Sequence, residues 1–83
     1  MNVDNKIKKA IENATLSFEY DSSGFNHQEG NIEVYATMQD EEIQDAYIAV
    51  DDEVIKMKPK YIDQIFQKLL PYHLKSIENE NNS

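Results

Sequence analysis

Residues 32–50, IEVYATMQDEEIQDAYIAV, consist of two segments of alternating apolar and polar side chains on either side of a short acidic run. Apolar and polar side chains alternate through residues 32–38 and again through residues 45–50. A period of two is typical of a strand that buries one face and exposes the other. The acidic residues at 40–42 favour a turn, so the stretch predicts two neighbouring strands joined by a short connection.

Further strands are predicted on both sides of this pair. Residues 16–21 alternate in the same way, and residues 54–58 predict a short fourth strand that forms a hairpin with the third. Residues 22–31 hold both glycines among polar side chains, which predicts a long loop between the first two strands. Phe25 in that loop either folds back into the core or protrudes toward a partner. The first is favoured because it is commoner in monomers.

Helical periodicity is present at both ends of the chain. Residues 3–14 carry one apolar stripe, with Asn2 placed to cap the helix. Pro59 is suited to the first position of a second helix. Its apolar stripe comprises Tyr61, Ile62, Ile65, Phe66, Leu69 and Leu70. Pro71 predicts a kink or break near Leu70, followed by a short helical continuation.

These elements predict an α+β fold of order α-β-β-β-β-α. We expect residues 1–77 to form a single domain, with 78–83 as a frayed polar tail. An antiparallel sheet of three to four strands would carry both helices on one face and leave the other face open. The buried face would be lined by Leu16, Phe18, Ile32, Val34, Ile48 and Val50.

The open face would combine carboxylates with tyrosines, and we take its residues as candidates for binding a partner. Six of them lie on the predicted strands: Glu19, Asp21, Glu33, Tyr35, Asp45 and Tyr47. Three more lie at a hairpin tip: Asp51, Asp52 and Glu53. Exposed tyrosines among carboxylates are typical of protein-binding surfaces, although pairing between strands would also account for the tyrosines.

Charge is unevenly distributed along the chain. All eight cationic residues are lysines, located within 6–9 or 56–75, while the segment between residues 10 and 55 is acidic and contains no Lys or Arg. The net charge of −8 disfavours direct binding to nucleic acid or to an anionic membrane. It favours a protein partner with a positively charged surface. Alternatively, the carboxylates serve solubility alone.

No pattern in the chain indicates catalysis or a cofactor. There is no cysteine, the acidic runs lack the ligand spacing of a calcium loop, and neither His27 nor His73 adjoins a nucleophile. The longest apolar run, residues 46–50, is too short to span a bilayer. We therefore expect a cytoplasmic protein that is not an enzyme and has no metal or cofactor.

In size, acidity and lack of cysteine, the chain resembles the DNA-mimic inhibitors made by phages and other mobile elements. The resemblance is one of general character, since no motif identifies a family. It implies an acidic module that docks on a basic groove of a nucleic-acid-handling protein. The alternative is a small structural or regulatory homodimer that associates through the apolar surface of the second helix. A small enzyme or ligand-binding protein is a third hypothesis, and it would need a concave site.

Overall fold

The computed structural model describes residues 3–81, which form two helices and one antiparallel sheet of five strands. The helices are α1 (Val3–Asn13) and α2 (Pro59–Asn81). The strands are β1 (Thr15–Glu19), β2 (Ser22–Glu29), β3 (Ile32–Gln39), β4 (Glu42–Val50) and β5 (Glu53–Val54). Each strand pairs with the next one along the chain. The predicted α+β class is confirmed, and the sheet has one strand more than the largest number predicted.

The additional strand is β2, which replaces the predicted loop over residues 22–31. Its sequence, SSGFNHQE, has a single strongly apolar residue and a glycine, so its intrinsic preference for a strand is weak. The prediction was wrong because β2 lies between β1 and β3, pairing with β1 over residues 22–26 and with β3 over residues 22–29. Pairing on two sides outweighs the local preference. Phe25 is 2 % exposed, so it belongs to the core, as the favoured alternative predicted.

Two other boundaries differ from the prediction. The predicted strand over residues 54–58 is reduced to β5, of two residues, after which the chain leads without regular structure to α2. The predicted break near Leu70 is absent, because α2 continues unbroken through Pro71 and on through 78–81. Pro71 and Gln67 are both exposed, so the carbonyl group that loses its helical donor can accept from water. The proposed cap, Asn2, lies outside the described residues.

The core lies between the helices and one face of the sheet. It is built from Ile7 and Ile11 of α1, from Tyr61, Ile65 and Leu69 of α2, and from sheet residues led by Val34 and Ile48. Leu16 and Val50 pack at its margin, as expected of the predicted buried face. Neither α1 nor α2 packs on the opposite face of the sheet, so these helices leave that face open to a partner.

The two helices lie side by side and run in the same direction. Asp4 near the start of α1 accepts hydrogen bonds from Lys60 and Tyr61 near the start of α2. Further along, Lys68 donates to the backbone carbonyl of Glu12. In both contacts the two residues are 56 positions apart in the sequence, so the helices advance together and are parallel.

Acid is expected to weaken this helix pair through Asp4. Its pKa is lowered below 3.8 by the hydrogen bond from Lys60 and then by that from Tyr61. A folded-state pKa below the unfolded value gives stability that is present above the unfolded pKa and lost as pH falls through the folded pKa. The Asp4→Asn variant should therefore melt at a lower temperature than the native chain at neutral pH. Circular dichroism melts across a pH series should show the two melting temperatures converging once Asp4 is protonated.

The control for this experiment is Asp63→Asn, which makes the same chemical change at an exposed position of α2. A melting difference between the native chain and Asp4→Asn that persists unchanged into acid would contradict the ion pair.

Candidate functional site

The open face of the sheet consists of four rows of side chains that cross it from strand to strand. The pairing register and the alternation of strand side chains define the rows. The first three rows are Glu19–Ser22–Gln39–Glu42, then Ser17–Gly24–Thr37–Asp45, then Thr15–Asn26–Tyr35–Tyr47. The fourth row is Gln28–Glu33–Ala49–Val54. None of these residues is a lysine, so the face as a whole is anionic.

Two tyrosines form the centre of this face. The rings of Tyr35 and Tyr47 stack with their centroids 5.3 Å apart and their planes inclined by 29°. The Tyr47 hydroxyl donates a 2.9 Å hydrogen bond to Glu33 Oε1, and this bond raises the pKa of Tyr47 above 10.0. Both side chains are half-buried. The stacking and the hydrogen bond hold them in place, so they form a fixed platform that requires little ordering when a partner binds.

A shallow depression of about 700 Å³ adjoins the tyrosine platform at one end of the sheet. Glu33, Asp51 and Asp52 supply carboxylates to its lining, and Tyr47 forms part of its wall. Asn31 Nδ2 donates to Asp51 Oδ1 at 2.6 Å, and the Asp51 amide donates to the Asn31 carbonyl at 2.9 Å. These two bonds connect the turn after β4 to the turn after β2, so they hold Asp51 in place at the acidic margin of the depression.

Six of the nine candidate residues are therefore brought together on or beside the open face: Glu33, Tyr35, Asp45, Tyr47, Asp51 and Asp52. Glu19 lies on the same face, but on the outer strand β1. Asp21 lies elsewhere, in the β1–β2 turn, where it lines a separate depression with His73 and Leu74 of α2. Glu53 pairs with Val50, whose side chain packs toward the core, so strand alternation directs Glu53 away from the open face.

The lysines lie on the other parts of the molecule. Three are on α1, two follow β5 and three are on α2, so none lies within the sheet. Because α1 and α2 cover the opposite face, the chain has a negative sheet side and a mixed helix side.

Two of the acidic turns adopt backbone conformations that glycine and asparagine normally supply. All four strand connections are two residues long. Asp40 and Glu41 have φ values of 55° and 63°, and Asp51 and Asp52 have values of 54° and 66°. Positive φ at both central positions is typical of the type I′ hairpin turn, in which Asn-Gly is favoured. Acidic side chains therefore occupy positions where other residues would give a more stable turn.

Several residues of the open face were not predicted from the sequence. Glu42 was assigned to a turn, and the β2 residues Gly24, Asn26 and Gln28 were assigned to a loop, yet all four lie in the rows above. Gly24 fits its strand closely, since a Cβ atom there would lie 3.1 Å from the Ala36 carbonyl oxygen. The signal that could have located β2 is the regular spacing of turn residues, at intervals of about ten along residues 20–52.

The structure also brings a serine and a histidine together, a contact that was not predicted from the sequence. Ser23 Oγ lies 2.6 Å from His73 Nδ1, a separation that a nucleophile and its base would have. Both residues are only 2 % exposed. His73 reaches the wall of the depression beside α2, whereas Ser23 is not among the residues that line it. We interpret the pair as a buried hydrogen bond that fixes α2 on β2.

Residues 3–81 contain neither a grouped set of metal ligands nor a helix suited to span a membrane. Within this range, no three histidine, cysteine or carboxylate side chains are grouped closely enough to hold a metal ion. Neither α1 nor α2, as described, is both long and apolar enough to cross a bilayer.

Comparison with known proteins gives no family assignment. No protein family, no curated protein and no solved structure matches this chain. The proposed function therefore depends on the open face and its surroundings alone.

Proposed function

We propose that this chain is an acidic protein-binding module that docks the open face of its sheet on a positively charged surface of another protein. The observation that carries the proposal is the tyrosine platform of Tyr35 and Tyr47, bordered by the carboxylates of Glu33, Asp51 and Asp52 on a face without lysine. Aromatic residues supply contact area, and carboxylates at the margin select a cationic partner and accelerate association.

The partner class that best fits this face is a nucleic-acid-handling protein with a basic groove. Carboxylates on a rigid sheet can occupy sites built for phosphates. The proposed chain is therefore an inhibitor of the DNA-mimic type. Its character is that of a phage or mobile-element protein that acts in the cytoplasm. The acidic turn beside the open face supports this proposal. Asp51–Asp52 retains charge at positive φ, where Asn-Gly would be more stable, and departures from local preference are expected at functional positions.

The test begins with affinity capture from cells on the immobilised native chain, eluted by a salt gradient, to identify the partner. The affinity of this partner is then measured for the native chain and for the double variant Glu33→Gln/Asp52→Asn. Glutamine at position 33 retains an acceptor for Tyr47, so the platform is preserved. We expect the affinity to fall about tenfold at low salt, corresponding to about 1.4 kcal/mol. The difference should narrow as salt rises, and double-stranded DNA should compete with the native chain.

The matched control is Asp63→Asn/Glu78→Gln, which changes the net charge by the same amount at exposed positions of α2. If the two double variants lose equal affinity, net charge alone attracts the partner and the open face is not the binding site. An affinity that is indifferent to salt, or a partner that is not displaced by DNA, would remove the inhibitor proposal.

A further inference from the structure

The two edges of the sheet are protected very differently against pairing with another strand. At one edge, β5 covers only the end of β4, but the rest of β4 carries Glu42 and Asp45 and has a register irregularity beside Gln44. Charges and bulges on edge strands discourage pairing with another chain. The other edge is β1, which pairs with β2 without irregularity and has no charged residue before Glu19.

The backbone of β1 offers a defined set of hydrogen-bonding groups at this edge. Glu19 and Ser22 flank a two-residue turn, so they exchange hydrogen bonds with each other. Antiparallel pairs alternate between bonded and non-bonded positions. The amide and carbonyl groups of Leu16 and Phe18 therefore point outward, away from β2.

An apolar flank of α2 lies on the same side of the molecule. α1 packs on β2 and β3, whereas α2 also reaches β1, so the side of α2 turned away from α1 faces the β1 edge. Lys68 marks the side that contacts α1. Phe66 and Leu70 are each two residues from Lys68, about 200° around the helix. Both are only partly buried against the core.

We propose that β1 is a self-association edge, where a second copy of this chain adds its own β1 antiparallel to the first and continues the sheet. A two-fold axis at Ser17 pairs Leu16 of each copy with Phe18 of the other, and each such pair exchanges two backbone hydrogen bonds. Phe66 and Leu70 of both copies then flank the new pair of strands. This proposal is independent of the proposed function, because pairing uses the outward backbone groups of β1, whereas the proposed function uses the tyrosine platform and the carboxylates beside it.

Charge favours the β1 edge over the acidic surfaces as the place where a second copy binds. Each copy carries a net charge of −8, so contacts between acidic surfaces are repulsive. With the axis at Ser17, Glu19 of one copy lies opposite Thr15 of the other. The two Glu19 carboxylates are then at opposite ends of the paired segment, and its centre contains no carboxylate.

Introducing a charge of either sign at Ser17 tests the proposal directly. Ser17 is exposed on β1, and the two-fold axis would place the two copies of its side chain opposite each other at a non-bonded position, where side chains are closest. Ser17→Lys and Ser17→Glu are each expected to weaken self-association roughly tenfold, because like charges then face each other. An equimolar mixture of the two variants should form a heterodimer. Sedimentation velocity over a hundredfold concentration range measures all three samples beside the native chain.

The control is Asn26→Lys, at an exposed position one strand inward on the same face. It should self-associate like the native chain. Hydrogen exchange provides a second readout, since the amides of Leu16 and Phe18 should exchange more slowly as the native concentration rises. A native chain that is monomeric throughout, or a dimer that survives both Ser17 variants, would overturn the proposal. Loss of the dimer in Ile62→Glu but not in the Ser17 variants would place the interface on α2 instead.

Discussion

Replacing Ser23 with alanine is expected to lower the free energy of unfolding by about 1–3 kcal/mol. The serine hydroxyl is the partner of His73 Nδ1 at 2.6 Å, and both side chains are buried. Removing it leaves a polar nitrogen without its partner in the core, where water cannot replace the hydroxyl at equal free energy. Chemical denaturation followed by circular dichroism measures the loss. Ser22→Ala, at the neighbouring half-buried position, should change the free energy by no more than about 0.5 kcal/mol.

A double-variant cycle separates the hydrogen bond from packing. His73→Leu alone leaves the buried hydroxyl of Ser23 without its hydrogen-bond partner, so it should also destabilise the chain. The double variant Ser23→Ala/His73→Leu removes both polar partners, and it should be more stable than the sum of the two single losses predicts. Strictly additive losses would mean that Ser23 and His73 do not act together and that α2 is held on β2 by apolar contacts alone.

Rebuilding the β3–β4 turn as Asn-Gly is expected to raise the free energy of unfolding by about 1 kcal/mol. Asp40 and Glu41 both have positive φ, and glycine adopts this conformation without the steric cost that a Cβ atom brings. In a domain of this size, the gain corresponds to a rise in melting temperature of about 4–8 °C. Asp40→Asn/Glu41→Gly, measured by thermal unfolding, tests this.

The comparison variant for that turn is Asp40→Asn/Glu41→Gln, which removes the same two charges but retains a side chain at both positions. It should recover only the part of the gain that comes from relieving repulsion among carboxylates. If this variant is as stable as the Asn-Gly variant, repulsion rather than backbone conformation accounts for the cost of the acidic turn.

The sequence predicted the elements whose side-chain pattern matches their geometry. The alternation of Ile32, Val34 and Ile48 with polar neighbours located β3 and β4, and the stripe containing Ile65 and Leu69 located α2. The stacked pair Tyr35–Tyr47 also follows from these patterns, since both residues were assigned to the exposed face of adjacent strands.

The failures occur where contacts distant in sequence outweigh local preference. β2 has little strand preference of its own, and its place is fixed by β1, β3 and the contact between Ser23 and His73, which are 50 residues apart. The continuation of α2 beyond Pro71 depends on the same contact, because His73 is buried against the sheet. Asp21 was assigned to a strand and Glu53 to a hairpin tip, whereas Asp21 lies in a turn and Glu53 begins β5, because local alternation does not reveal where a strand ends and its turn begins.

The order of elements along the chain has a consequence for synthesis in the cell. The strands pair with their sequence neighbours through two-residue connections, so the sheet can assemble hairpin by hairpin as it leaves the ribosome, whereas α2 follows the whole sheet. Until α2 emerges, the apolar side of the nascent sheet lacks part of its cover and is prone to aggregate. The segment between residues 10 and 55, which contains the whole sheet, is acidic and has no Lys or Arg. Neighbouring nascent chains therefore repel each other during this interval.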